Sequence, residues 1–458
     1  MKSIRNLLVK KNQTIKKAMR VIDLAGIKMA VVTDNNSKLC GVVTDGDIRR
    51  GIIKGISINE KVSSVMNTNP ISLNLNSSFG ERLSLLKSKN LIGMPIVDKD
   101  KKVRDFVLLT GASNVSSYKP VPKISKKLNR ILVIGGGGYI GSILVENLLS
   151  QKYRVNVLDR FLYVKNSLKK FENNSNLKII KGDTRNISDI TKALTGVDAV
   201  VHMAEIVGDP ACALDTKKTQ EINYIATKTI ASVCKHFQIN RMLYASSCSV
   251  YGASEGNKLL NEKSPLKPVS LYAKMKIASE NALTEMQDEN FLPTILRFAT
   301  VFGFSHRPRF DLVVNLLTAK ALRDKKITIF GGDQWRPNVH VKDISESIIR
   351  ILESPIEKTG GQIYNIGIEK NNCTINQIGK LIKKQIPDTQ IIIQDKDIDK
   401  RNYRVDFNKL RTDLDINLKN DIICGINEIK NALINNPEID YQHNKYSNIK
   451  YLQINYEN

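Results

Sequence analysis

The chain opens with one hydrophobic pattern written twice. Between Thr14 and Leu24 the apolar side chains Ile15, Ala18, Met19 and Ile22 recur at spacings of three and four, which predicts an amphipathic helix. Two apolar runs follow in MAVVTDNNSKLCGVVTDGDIRRGI, divided by Asp34-Asn35-Asn36 as a hairpin turn would divide them. A second helix-like stretch, Phe79 to Lys89, precedes GMPIVDKDKKVRDFVLLTGAS, again two apolar runs around an Asp/Lys turn. An interval of roughly 60 residues between the copies predicts a tandem of like units. From Ser113 to Asn129 Ser, Pro and Lys replace the apolar periodicity, a linker composition stiffened at Pro120 and Pro122.

Beyond the linker, strand-like runs alternate with helical ones. Arg130–Ile134 runs straight into Gly135-Gly136-Gly137-Gly138-Tyr139-Ile140-Gly141, and the helical SILVENLLS follows. Arg154–Leu158 ends at Asp159, 18 residues after Gly141; Lys178–Lys181 leads to Gly182-Asp183-Thr184; Ala199–Val201 leads to His202-Met203-Ala204. This order predicts an α/β fold with a doubly wound parallel sheet. Gly135, Gly138 and Gly141 supply a tight turn, close approach to a pyrophosphate and close helix–strand packing, with helix N–H groups aimed at the phosphates. Asp159 is placed to accept from the adenosine ribose hydroxyls and to repel a 2′-phosphate, which favours NAD over NADP; adjacent Arg160 works the other way. Tyr139, Ile140, Asp183, Thr184, Met203 and Ala204 complete the expected cofactor contacts.

Two further segments add chemistry. Arg241–Ser247 is an apolar strand entering a polar turn, and Tyr272 and Lys276 follow in a helical stretch, Tyr272 lying 25 residues after Ser247. Residues four apart share a helix face, so the ammonium sits near the phenol. A tyrosine with an ordinary pKa of about 10 needs such help to act as a base at neutral pH. Ser247, Tyr272 and Lys276 are therefore the candidate catalytic set, and Tyr272 and Lys276 are also expected to meet the cofactor.

From about Arg130 to Leu414 the chain resembles the extended short-chain dehydrogenase/reductase family, in its nucleotide-sugar epimerase/dehydratase branch. The resemblance implies NAD as cofactor, Tyr272 as general base, Lys276 as its electrostatic partner, and Ser247 as the hydroxyl on the sugar's reacting oxygen. It further implies substrate contacts at Asn223, at Thr300 in LRFATVFG, at Arg336 in GGDQWRPNVHVKD, and at Arg401. Arg309 and Asn315 are added as candidates for the diphosphate or uracil. The shared first step is oxidation of the sugar at C4. Members resembling dTDP-glucose 4,6-dehydratase carry Asp-Glu after the catalytic hydroxyl residue, where this chain has Cys248-Ser249. That favours a 4-epimerase, with a 4-ketoreductase, dehydratase or decarboxylase as alternatives and a non-catalytic NAD or adenine-nucleotide sensor as the alternative of another class. One departure stands out: Glu205 follows His-x-Ala, where the family has a small residue, and either a sugar contact or an ion pair would occupy it. Residues 1–117 resemble a pair of CBS (cystathionine beta-synthase) domains. Thr44 and Asp47 in GVVTDGD match that family's adenine-nucleotide residues, and Ser113 replaces the Asp in the second copy.

The expected layout is thus a CBS pair (α+β) over 1–117, a linker over 118–129, a Rossmann domain with a smaller C-terminal substrate lobe over 130–440, and a loosely held polar tail over 441–458. Composition changes little. The net charge of +25 is spread along the chain with an Asn and Ile excess, which argues against nucleic acid and for anionic ligands. Six cysteines without CxxC pairs argue for reduced thiols and against a metal site, and the expectation is a cytoplasmic protein with no membrane insertion. By resemblance, a homodimer or homotetramer is expected.

Overall fold

The computed structural model describes residues 7–25, 29–77, 81, 85–86, 89, 91, 93–108, 128–252, 259–288, 290–395 and 401–455. The chain divides into two compact units, Met1–Lys119 and Pro120–Asn458.

In the first unit β1 (Leu8–Lys10), α1 (Ile15–Ala25), β2 (Met29–Thr33), β3 (Leu39–Thr44) and α2 (Asp45–Ile53) form one repeat. β1 pairs parallel with β2, and β2 antiparallel with β3. The second repeat has the same sheet: β4 (Leu73–Asn74) pairs parallel with β5 (Gly93–Val97), and β5 antiparallel with β6 (Val103–Leu108). Ile15, Ala18 and Ile22 of α1 close the first repeat's core over Val32 and Val43. The periodicity thus placed Ile15, Ala18 and Ile22 inward correctly, while Met19, counted with them, faces outward and is exposed. Most of the helix read over 79–89, the segment 109–113 with Ser113, and most of the linker lie outside the described residues.

The second unit is built on a sheet of seven strands. β7 (Arg130–Ile134), β8 (Arg154–Asp159), β9 (Leu177–Lys181), β10 (Ala199–His202), β11 (Arg241–Ser247), β12 (Thr294–Phe298) and β16 (Ile363–Ile366) lie in the order β9-β8-β7-β10-β11-β12-β16. Every pairing is parallel. Strands covered on both faces need apolar side chains at every position, and β7 and β10 read as unbroken apolar runs for that reason. Alternate residues serve opposite faces. Ile131 and Val133 pack with α3 (Tyr139–Ser150) and α8 (Val341–Glu353), while Leu132 and Ile134 pack with α4 (Ile187–Leu194) and α5 (Ala226–His236). Strand order reverses between β7 and β10, and the crevice beyond their carboxyl ends is where such sheets hold ligands.

The smaller lobe contains β13 (Thr300–Phe302), α7 (Val313–Arg323), β14 (Lys326–Phe330), β15 (Trp335–His340), β17 (Asn372–Thr374), α9 (Ile375–Gln385), β18 (Gln390–Gln394) and α10 (Ile422–Asn435). Its own core joins Phe302, Leu317, Ile327, Ile378 and Ile426.

The C-terminal segment departs from the tail expected of it. Tyr441 and Tyr446 pack edge-on against Phe310, with ring centres 6.2 and 5.5 Å away. The final helix α11 (Asn448–Asn455) buries Leu452 with Ile206, Ala211 and Cys212. Its Asn, Tyr and Lys content reads as solvated, but the tyrosines bury rings and the asparagine at 448 bonds main chain and side chains. Polarity of composition did not distinguish a tail from a polar strap.

Candidate active site

The glycine turn is fixed by what a side chain would strike. Gly135 has φ +90°, and a Cβ there would meet the Ala204 nitrogen at 2.8 Å. A Cβ on Gly141 would stand 2.1 Å from the Gly135 carbonyl oxygen. The turn therefore brings β7, the start of α3 and the end of β10 into main-chain contact, leaving the α3 N-terminus open to an anion. Asp159 ends β8 with its carboxylate accepting from Gly137 N at 2.8 Å and Phe161 N at 2.6 Å. Burial pushes its carboxyl above the ordinary value, against those two bonds and nearby Arg307 and Arg160. A main-chain cradle too tight for side chains, a helix N-terminus and a carboxylate on the next strand fit a dinucleotide with free ribose hydroxyls. Bound there, NAD supplies the hydride acceptor.

Asp183 is held by Arg185 at 2.8 Å and Arg160 at 3.5 Å, and Thr184 beside it is buried. Met203 continues the β7 ladder through its N–H to the Ile134 carbonyl. Ile140 is half-buried in the first turn of α3. Tyr139 differs from expectation: its hydroxyl donates to the Gly303 carbonyl at 2.7 Å, so its ring ties the lobe to α3 and only its backbone faces the turn.

The catalytic set converges where β11 ends beside α6 (Leu271–Glu285). Ser270 caps that helix through Ala273 N and also donates to Asp209 at 2.7 Å. Tyr272, Lys276 and Glu280 are then successive turns of one inward face. The Lys276 ammonium lies 5.6 Å from the Tyr272 ring centre, and the Ser247 side chain is close enough to favour the ionised Tyr272 phenol. Glu280 makes a buried ion pair with Arg297 of β12 at 2.7 Å and accepts from Ser246, which clamps α6 to the sheet. Burial first, then the charge of Glu205, pushes the Tyr272 phenol well above its ordinary pKa.

Glu205 is the residue that the sequence singled out without a role. Its carboxylate accepts from the Tyr244 hydroxyl at 2.7 Å and ion-pairs with Lys276 at 2.8 Å. Neither Tyr244 nor Glu280 was foreseen, although Glu280 stands four residues past Lys276 and the helical period would have found it.

Several expected substrate contacts are corrected. Asn223 lies on a single π turn, Gln220–Ile225, a local widening common at functional sites. Its amide bonds both the N–H and the carbonyl of Ile206, at 2.9 and 2.8 Å, so it shapes the loop after β10 and is not presented to a sugar. Asn315 is 1% exposed and divides its amide among Gly303, Tyr139 and the Arg309 carbonyl, which makes it framework. Arg309 is engaged with Asp311 at 2.9 and 3.1 Å. The remaining two arginines are brought together: Arg336 donates to the carbonyls of Trp335 and Arg401, and Arg401 pairs with Asp209 at 3.2 Å. Thr300 is half-buried at the start of β13, opposite Asn338. In the first unit Thr44 and Asp47 form the capping box of α2, Asp47 N donating to Thr44 Oγ1 at 3.2 Å and Thr44 N to Asp47 Oδ2 at 2.9 Å.

Residues 131–367 match the NAD dependent epimerase/dehydratase family, and residues 3–54 match the CBS domain. Over 247 residues, 52% of this chain and 76% of the relative, the protein is 32% identical to "Uncharacterized UDP-glucose epimerase YtcB" of Bacillus subtilis (strain 168). It is 31% identical over 244 residues, 52% of this chain and 61% of the relative, to "Sterol-4-alpha-carboxylate 3-dehydrogenase, decarboxylating" of Homo sapiens. Among solved structures, UDP-glucuronic acid 4-epimerase from Bacillus cereus, in complex with UDP-glucuronic acid and NAD, is similar with a TM-score of 0.61 and 27% identity. That match covers 67% of this chain and 99% of the other. The fold, the cradle and these similarities define a Rossmann-type enzyme with NAD as its cofactor. The chain belongs to the NAD-dependent epimerase/dehydratase family and carries an N-terminal CBS domain.

Proposed function

We propose that the protein is a nucleotide-sugar 4-epimerase, with Tyr272 as general base, Lys276 as its electrostatic partner and Ser247 on the reacting oxygen. Tyr272 takes the proton of the sugar 4-hydroxyl as C4 gives up hydride, and returns it after the 4-keto sugar has turned its other face. The observation carrying this reading is the Ser247–Tyr272–Lys276 cluster at the carboxyl ends of β10 and β11. The choice of epimerase rests on what surrounds it. Cys248 and Ser249 are buried, and burial pushes the Cys248 thiol far above its ordinary pKa. Among the described residues, three carboxylates around the cluster are paired, Glu205 with Lys276, Asp209 with Arg401 and Glu280 with Arg297. Dehydration across C5 and C6 needs an additional acid and base; return of hydride to C4 needs neither. Arg336 and Arg401 are the proposed diphosphate side, because their guanidinium forks suit phosphate oxygens.

The test incubates the full chain with UDP-glucose, UDP-N-acetylglucosamine, their uronic acids and the matching GDP and dTDP sugars, without reductant. NMR should show a C4 epimer of unchanged mass. Tyr272→Phe should bind NAD as before and lose at least about a hundredfold in turnover. Full turnover in that variant would overturn the mechanism. Loss of water or carbon dioxide would move the reaction within the family. Decarboxylation is the second reading, favoured by the similarity to the decarboxylating sterol dehydrogenase.

A further inference from the structure

The Glu205–Lys276 pair is buried to a degree that calls for a reason. The two side chains are 1% and 4% exposed. Removing two charges from water costs several kcal/mol per ion, and their attraction offsets this only with good geometry and satisfied lone pairs. Here the two charges stand 2.8 Å apart. The Lys276 ammonium has three donors. One goes to the Ala245 carbonyl, and the ammonium faces Glu205 Oε2 at 2.8 Å as an ion-pair partner whose hydrogen-bond alignment is poor. The ammonium also stands 4.8 Å from the Tyr244 ring centre, and Tyr244 donates back to Glu205. Glu205, Tyr244 and Lys276 therefore form a closed triangle on the inner side of α6, with Tyr272 one turn above.

We propose that Glu205 is a positioning residue for the Tyr272–Lys276 pair: it holds Lys276 against the end of β11 and cancels most of the positive charge that Tyr272 would otherwise meet. This rests on the reading of Tyr272 as the proton acceptor. An isolated Lys276 would favour tyrosinate; a Lys276 paired at 2.8 Å presents Tyr272 with a near-neutral dipole. Among the described residues, the other groups acting most strongly on Tyr272 do not restore a positive field. Asp209 is shared with Arg401 and Ser270, Cys212 is a buried thiol pushed up to about 12, and Ser247 brings only its neutral hydroxyl. His202, on β10, is pushed down to about 3 by burial and by Lys276, so it is neutral. The charge that would favour tyrosinate is then the oxidised nicotinamide, and ionisation of Tyr272 becomes dependent on the cofactor's redox state. An enzyme arranged in this way keeps its base protonated until oxidised cofactor is seated.

The measurement is a pH titration of tyrosinate by near-ultraviolet difference absorbance, on full-length NAD-loaded protein against Tyr272→Phe as blank. Glu205→Gln keeps the shape and removes the charge. Its Tyr272 midpoint should fall by roughly one unit, about tenfold more phenolate at a fixed lower pH. Glu205→Asp should stay within about half a unit of the parent protein. An unchanged midpoint in Glu205→Gln would sink the proposal. Should that variant fail to fold, because it leaves Lys276 buried without its partner, the comparison moves to Lys276→Met against Glu205→Gln/Lys276→Met. The double variant should then titrate lower, and identical midpoints would overturn the idea. The readout requires no sugar turnover, so failure of the epimerase reading is seen separately. If Tyr272→Phe turns over fully, the base is misassigned. If it does not and the midpoint stays fixed, Glu205 alone is.

Discussion

Glu428 shows how a single side chain joins the lobe to the sheet. It sits on α10, accepts from Phe304 N and His340 Nε2 at 2.9 Å each, and pairs with Lys342 at the start of α8. Burial raises its pKa, but the His340, Lys342 and Phe304 bonds outweigh that and hold the carboxyl down at about 2. A carboxylate depressed in the folded state stabilises it above the unfolded pKa of about 4.3, and that contribution is lost as the pH falls through the folded value. Glu428→Gln should therefore lower stability near neutral pH by on the order of 2 kcal/mol after solvent screening. In denaturant melts the gap to the parent protein should narrow below about pH 4 and close near pH 2. A gap independent of pH would show that shape matters here and charge does not. Nothing in the sequence advertised this residue, because its partners come from segments over 80 positions away. Residues recognised by fixed local spacing, such as Gly135 and Gly141, or Tyr272 and Lys276, were legible. Asn223, Asn315 and Arg309 were named correctly as polar and special, yet given to the substrate when they bond the framework. Composition cannot say which partner a buried amide or guanidinium will find.

At the scale of elements, the parallel strands and their helices could be read in order, since two-faced burial leaves an unbroken apolar run and a one-faced helix leaves a stripe. The C-terminal segment could not. Its anchors are tertiary: Arg307 to Asn448 at 2.6 Å, Asn448 N to Asp311 at 2.8 Å, and Leu452 in a cluster that the ring of Tyr272 borders. The Arg307 guanidinium also lies 4.2 Å over the Tyr163 ring, whose edge meets Tyr451. Residues 441–455 therefore strap the 307–311 loop to the loop after β10, beside the candidate base. Ending the chain after Asp440 strips two buried tyrosine rings and a leucine from their pockets. At about 1.5–3 kcal/mol for each side chain, stability should fall by roughly 5 kcal/mol. Turnover should drop more than about tenfold, since the loop carrying Ile206 loses its cover while the rest of the NAD cradle is untouched. Thermal melts with and without NAD, alongside turnover, check this. A shortened chain with the parent's melting temperature and activity would mean that the strap carries no weight.

On the scale of the whole chain, repetition and linker composition predict a boundary near residue 117, and the structure divides into compact units between Lys119 and Pro120. Each has its own apolar core, Ile15, Val32 and Val43 in the first and the two faces of the seven-stranded sheet in the second. Every group assigned to the cradle and to the candidate base, from Gly135 to Arg401, belongs to Pro120–Asn458. A domain with its own core folds alone in most cases. Residues 120–458 should accordingly melt as one cooperative unit and bind NAD with a Kd within roughly threefold of the full chain. Calorimetry on both forms tests it. Equal affinity would confine the CBS unit to control or assembly, leaving effects on turnover as its only route to the site. Loss of NAD binding would mean that the first unit supplies part of the cradle, and the Glu205 titration would then have to be interpreted with that contribution included.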